Sequence, residues 1–209
     1  MCRVSPRPAP PSRRTQQERR DESARRLLQA AIELFAEHGY DATSAGAIAE
    51  RAGYSRSLVN VRYGSKQALL EELLTTQLED RLLAPPSDEV DGLTQMLQPI
   101  DRVIALLKED AQLSRAFFVL MFEAIGPVPA LRPHVASWFA RLESATGTAL
   151  EHGRRDGSVR ADIDIAAEVL EFTHISTGVV YRWVMDPDGF DLDAALRAWR
   201  ARLAGRLSP

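Results

Sequence analysis

Residues 43–66 read TSAGAIAERAGYSRSLVNVRYGSK, and this stretch decides how the rest of the chain is read. Thr43 and Ser44 are hydroxyl residues of the kind that cap a helix by accepting from its unpaired first amides. Behind them Ile48, Ala49 and Ala52 fall on one face of a short helix, which Gly53 ends. Tyr54-Ser55 opens a second short helix running to about Val61, and Gly64-Ser65 breaks the chain and caps a further helix from Lys66. Two short helices joined by a tight glycine turn have the layout of a helix-turn-helix. In that arrangement the first helix crosses a duplex backbone with its amides near a phosphate, and the second lays its early turns along base edges in the major groove. Arg56, Ser57 and Asn60, spaced i, i+1 and i+4, share the outer face of the second helix, while Val59 points the other way toward Ile48 and Phe35. Arginine and asparagine can make two-point contacts to guanine and adenine edges, each discriminating by about 1–3 kcal/mol.

Outward from this stretch the pattern stays helical. From Glu18 to His38 the apolar positions Leu27, Leu28, Ala31, Ile32, Leu34 and Phe35 recur every three or four residues, and Gly39 suits a left-handed stop. A fourth helix is expected over Lys66–Leu83. Further ones follow over about Glu89–Lys108, Ala111–Ile125, Ala130–Gly153, Ile163–Met185 and Leu192–Leu207. Pro99 and Pro133 fall inside two of these, which are expected to start later or to kink. No alternating strand pattern occurs, so the fold class is all-α with about nine helices. The expected organisation is a basic, proline-rich disordered arm (1–17), a three-helix DNA-binding domain (18–70) and a larger helical domain (71–209), the one that the resemblance given below makes the ligand-binding and dimerisation domain.

The net charge of −3 hides an asymmetry: residues 1–70 carry 12 Arg and Lys against 7 Asp and Glu, residues 71–209 carry 14 against 22. A basic head on an acidic body points to an anionic partner at the basic end. The single cysteine, Cys2, permits no internal disulfide. No apolar run reaches the roughly 20 residues of a membrane helix, and the leader MCRVSPRPAPPSRR lacks the apolar core of a secretion signal, so a cytoplasmic location without membrane contact is expected.

Residues 24–74, ARRLLQAAIELFAEHGYDATSAGAIAERAGYSRSLVNVRYGSKQALLEELL, resemble the DNA-binding region of the TetR family of transcriptional regulators. The elements AA-x-x-LF-x-x-x-GY, T-S-x-x-x-IA-x-x-AG and RYGSK-x-x-LL match in order and spacing. The resemblance implies a homodimer that binds a palindromic operator in double-stranded DNA as a repressor. It would release the operator when a small-molecule inducer occupies the C-terminal domain, the motion passing through the fourth helix. Carried over position by position, Thr43, Ser44, Tyr63 and Lys66 fit phosphate-contact or junction positions. Arg56, Ser57 and Asn60 fit the recognition face, and Ser55 and Arg62 complete the expected DNA-contacting set. Asn60 stands where the family usually has tyrosine, Leu58 replaces a common threonine, and Gly46 supplies no side chain where some members use a basic base-reader. Base specificity is therefore expected from the second helix of the motif alone.

An apolar or amphipathic inducer is expected among Phe118, Met121, Phe122, Trp138, Leu142, Phe172 and His174. The last two helices carry apolar stripes, and Val169, Val180, Trp183, Leu196, Trp199 and Leu203 are expected at the dimer interface. No catalytic motif, metal set or cofactor-binding loop is found. Glu171-x-x-His174, with Glu168 one turn earlier, is half of a di-iron pattern whose second copy is missing. The alternative to a regulator is a helical small-molecule-binding or metal-dependent protein that has lost DNA binding.

Overall fold

The computed structural model describes residues 15–74, 80–82, 89–126 and 128–209. Among these residues there are ten α-helical segments and no strand. Helix α1 (Gln16–His38) starts two residues before the expected Glu18. Thr15 and Glu18 form a reciprocal capping box, each side chain accepting from the other's amide at 3.1 and 2.7 Å. Residues 15–17 thus belong to the helix and not to the arm, whose residues 1–14 lie outside the described set.

Helix α2 (Ala45–Arg51) is capped by Ser44, which accepts from the Ala47 amide at 3.1 Å. Helix α3 (Leu58–Tyr63) is shorter than expected: residues 54–57 form the turn, so Ser55 and Arg56 precede the helix. Ser65 caps α4 (Lys66–Leu73) at the Ala68 amide. Of the long fourth helix expected to Leu83, the described residues contain α4 and the short α5 (Asp80–Leu82). The small helices share a core of Leu27, Ala31, Phe35, Ile48, Ala49, Val59 and Leu69, all fully buried.

The body is built from α6 (Gly92–Glu109), α7 (Ala111–Glu123), α8 (Arg132–Asp156), α9 (Ile165–Met185) and α10 (Leu192–Leu207). Aspartates 91, 110, 164 and 191 cap four of the five, each accepting from the amide three residues on. Helix α8 starts two residues later than expected, with Pro133 in its first turn where a missing N–H costs nothing, and α6 starts at Gly92 and carries Pro99 in its interior. The start of α6 lies directly on the end of α8. A Cβ on Gly92 would sit 2.0 Å from the Gly153 nitrogen, so only glycine permits this approach. Asp156 ties the same joint, accepting from the Gly92 amide at 2.8 Å and the Ser158 amide at 2.8 Å.

Helix α7 joins body to head. Its Arg115 donates from Nε to the Ala36 carbonyl (3.1 Å), while the Arg115 Nη1 atom is buried without a partner. At the end of α7, Glu123 accepts from the Tyr40 amide at 2.6 Å. Gly39, expected in the left-handed helical region, has φ 77° and ψ 178°, an extended geometry open only to glycine.

Candidate nucleic-acid interface and effector cavity

Burial of Val59 fixes the orientation of α3, so Ser57, Asn60 and Val61 stand outward together with Ser55 and Arg56 from the preceding turn. Val61 is 77% exposed, an apolar side chain open to solvent. Its position in the sequence, four residues after Ser57 and next to Asn60, places it on this face. Arg56 stands clear of the surface, its guanidinium held by Glu50 of α2: Nε to Oε1 is 2.7 Å and Nη2 to Oε2 is 3.2 Å. The other head arginines near α2 and α1 also face carboxylates, Arg51 with Glu33 and Glu37 and Arg25 and Arg26 with Glu22. The Arg51 hydrogen bond holds Glu37 below its usual carboxylate range.

Three of the residues expected to contact DNA are engaged inside the head. Thr43 is buried, and its hydroxyl donates to the Gly39 carbonyl at 2.7 Å, so it is spent inside the loop and faces no ligand. Lys66 donates to the carbonyls of Tyr40 (2.7 Å) and Thr43 (2.6 Å), with its Nζ 3.8 Å from the centre of the Tyr40 ring. Burial pushes this ammonium down, and Asp41 and Glu123 partly offset that. Two of its three N–H donors are therefore committed to stapling the loop between α1 and α2. Arg62 donates to the Ser23 hydroxyl at 3.1 Å and lies against Tyr63, linking α3 to α1. Ser44 remains exposed but its oxygen caps α2, and Tyr63 is half-buried against the core.

In the body, a partly open apolar cleft with a cavity volume of about 50 Å³ lies between α6, α7, α8, α9 and α10, with Leu82 of α5 at its edge. Phe118, Met121, Trp138, Leu142 and Phe172 line it, five of the seven expected residues. Phe122 instead packs edge-on against Tyr181 (5.2 Å between ring centres), and His174 is exposed on the outer side of α9. The sequence reading missed Pro99, Ile100 and Val103 of α6, whose helix had shown no aromatic signal. It also missed two hydroxyls in the lining, Ser176 and Thr177, which both donate back to the Thr173 carbonyl and leave oxygen lone pairs to accept from a ligand. Among the described residues no charged side chain lines the cleft. A second apolar cleft, bounded by Leu74, Leu120, Leu131 and His134, shares Met121 and Trp138 with the first as a common wall.

The residues expected at the dimer interface are mostly core. Val180, Trp183, Leu196, Trp199 and Leu203 are buried within the chain and Val169 is half-buried, because these stripes cover the body's own interior. Val180, Leu196 and Trp199 line the cleft itself. The exposed apolar side chains of α9 are Leu170, Tyr181 and Met185, on its other face. Glu168 and Glu171, part of the half di-iron pattern, pair with Arg206 of α10. Among the described residues no group of three His, Cys, Asp or Glu could hold a metal ion, and no helix is long and apolar enough to cross a membrane.

A small three-helix head with an outward second motif helix, joined by its first helix to a larger helical body with an apolar cleft, is the architecture of a helix-turn-helix transcriptional regulator. Residues 27–73 match the family model described as bacterial regulatory proteins, tetR family. Over 194 residues the chain is 28% identical to the HTH-type transcriptional regulator TtgR of Pseudomonas putida, covering 90% of this chain and 91% of that protein. Among solved structures it superposes on the fatty acid degradation regulator FadR from Bacillus halodurans with a TM-score of 0.70 at 18% identity (88% of this chain, 95% of that one). NalD, the secondary repressor of the MexAB-OprM multidrug efflux pump in Pseudomonas aeruginosa, superposes with a TM-score of 0.65 at 20% identity (90% and 98%). The head thus matches the tetR family model, and nearly the whole chain is similar to an HTH-type transcriptional regulator.

Proposed function

We propose that this protein is a ligand-responsive transcriptional repressor that binds a two-fold operator as a homodimer and leaves it when a small molecule fills the cleft. The observation that carries the reading is the outward cluster of Arg56, Ser57, Asn60 and Val61, backed by the buried Val59. Arg56 supplies two donors for guanine O6 and N7, Asn60 supplies an amide N–H for adenine N7 and a carbonyl oxygen to accept from adenine N6, and Val61 supplies apolar contact for a thymine methyl. Ser55 and Ser44 lie exposed beside them as phosphate partners. Arg62, Tyr63, Lys66 and Thr43 hold the reading head in shape. Repression, in place of activation, accords with NalD being a repressor.

The dimer surface is the outer side of α9 and α10. Leu170, Tyr181 and Met185 are exposed on α9, and Ala194, Ala198, Ala201 and Gly205 form an exposed strip of small residues on α10 that lets a second helix approach closely. A two-fold contact through this face gives a four-helix bundle and sets two α3 helices about 34–36 Å apart, one turn of duplex.

The effector is neutral and largely apolar, with a hydrogen-bond donor for the Ser176 or Thr177 oxygens, since an uncompensated charge in a cleft without a counter-ion would be costly. Its signal runs through α7, which lines the cleft with Phe118 and Met121 and holds the head through Arg115 and Glu123. This differs from the route through the fourth helix that the resemblance implies. A coupling of about 1–3 kcal/mol between the two sites changes operator affinity about 5–150-fold.

The test is a gel shift with the DNA upstream of the protein's own gene, repeated with neutral apolar compounds that raise the melting temperature. The expected result is a low-salt shift that such a compound reverses. Unchanged mobility of the DNA with folded dimer would contradict the reading.

A further inference from the structure

We infer that Glu50 and Gly46 of α2 form a seat that presets Arg56 for end-on reading of guanine, making Glu50 a positioning residue for base choice. The inference rests on the reading of the head as a DNA-binding unit. Arg56 comes from the turn before α3, where no helical rotamer restricts it. Its stem runs over Gly46: a Cβ there would lie 3.7 Å from the Arg56 Cβ and Cγ and 3.8 Å from Nε. A methyl at Gly46 would therefore just touch the arginine stem, and a longer side chain would have to displace it.

Above Gly46 the Glu50 carboxylate takes the Nε edge of the guanidinium at two points, 2.7 and 3.2 Å. A guanidinium has five N–H donors in one plane, so with this edge engaged the Nη1–Nη2 end remains as a fork. That fork matches guanine O6 and N7. The pair is exposed, with 78% of the Arg56 and 52% of the Glu50 side chain accessible, so it contributes little to the stability of the free protein. In a groove that excludes water the same contact strengthens, and fixing the long side chain beforehand removes an ordering cost from binding. Glu50 also puts a negative charge near the duplex, which weakens binding wherever the fork finds no guanine.

The experiment is selection from a random duplex pool by the full-length protein and its Glu50→Gln, Arg56→Ala, Arg56→Lys, Gly46→Ala and Gly46→Leu variants, followed by anisotropy titration of single-base variants of the selected site. The parent should select guanine at one position per half-site, and Arg56→Ala and Arg56→Lys should lose that choice. Glu50→Gln should reduce guanine discrimination at that same position about tenfold while binding to unrelated duplex stays equal or rises. Gly46→Ala should behave like the parent, because its methyl makes only ordinary contact, whereas Gly46→Leu should displace the arginine and mimic Glu50→Gln.

If Glu50→Gln keeps full guanine discrimination, or alters the base chosen at a different position, the seat is refuted and Glu50 is a bystander or a direct reader. If the parent itself selects no sequence, the DNA-binding reading fails and the seat fails with it, a distinct result.

Discussion

Replacing Gly39 by alanine tests the joint between head and body, and its cost follows from two separate features. The backbone at Gly39 (φ 77°, ψ 178°) is one that side-chain-bearing residues avoid, at about 1–3 kcal/mol. A Cβ there would also lie 2.1 Å from the Glu123 Oε1 atom. The carboxylate is the far end of a flexible side chain and can retreat, but in doing so it gives up the Tyr40 amide it holds at 2.6 Å. A hydrogen bond to a charged group contributes about 1.5–3 kcal/mol, so the total loss is about 2.5–6 kcal/mol. Urea unfolding of the protein at one fixed concentration, with Gly39→Ala, Glu123→Ala and the double variant, separates the two parts. In the Glu123→Ala background only the backbone strain remains, so the double variant should lose about 1.5–3 kcal/mol less than the sum of the singles. Strict additivity, or a Gly39→Ala loss below about 0.5 kcal/mol, where ordinary surface changes fall, would refute the reasoning.

Lys66→Met should destabilise the protein by about 1.5–3 kcal/mol, since the Tyr40 and Thr43 carbonyls lose a charged donor; a loss of one unit in the salt slope of DNA binding, with stability unchanged, would instead make Lys66 a phosphate contact. The Asp156 carboxyl is held down to about 2, first by the Ser158 hydroxyl and amide and then by the Gly92 amide. Its folded value lies below the ordinary 3.8, so its contribution is present above about pH 4 and is lost as the pH falls through 2; the stability gap between parent and Asp156→Asn, followed by urea unfolding, should close over that window. Ser176→Phe should fill the cleft, abolish the melting-temperature rise with neutral apolar compounds and leave DNA bound in their presence; a preserved response would move the effector site elsewhere. Leu170→Glu sets two like charges against each other across the proposed two-fold face, so sedimentation should show monomers; an intact dimer would place the interface on another surface.

Local chemistry explains which parts of this fold were legible in the chain. The caps at Ser44, Ser65, Asp164 and Asp191 act on amides three residues away, and the periodic stripe of α1 needs only its own turns, so both can be read without tertiary knowledge. Thr43 looks like a cap beside Ser44, but only the second of the pair is at the helix start, and the first turns inward. Lys66 looks solvated after Gly64-Ser65 until chain reversal brings two carbonyls from residues 40 and 43 onto it. In α9 and α10 the period gives an apolar face but not what that face meets. Trp183 and Trp199 were bulky enough to suggest a partner and are interior, while the outer surface is marked by smaller signals such as Leu170, Gly205 and the alanines. The Glu123–Tyr40 contact spans 83 residues, and nothing local announces it.

The central claim is that two copies of the head read one duplex through Arg56, Ser57, Asn60 and Val61. Hydroxyl-radical footprinting on a fragment the protein retards tests it most directly. The account predicts two protected stretches related by two-fold symmetry, on one face of the duplex, with centres about one helical turn, or 34–36 Å, apart. A single protected stretch, or the same two stretches for a variant carrying alanine at Arg56 and Asn60, would contradict it.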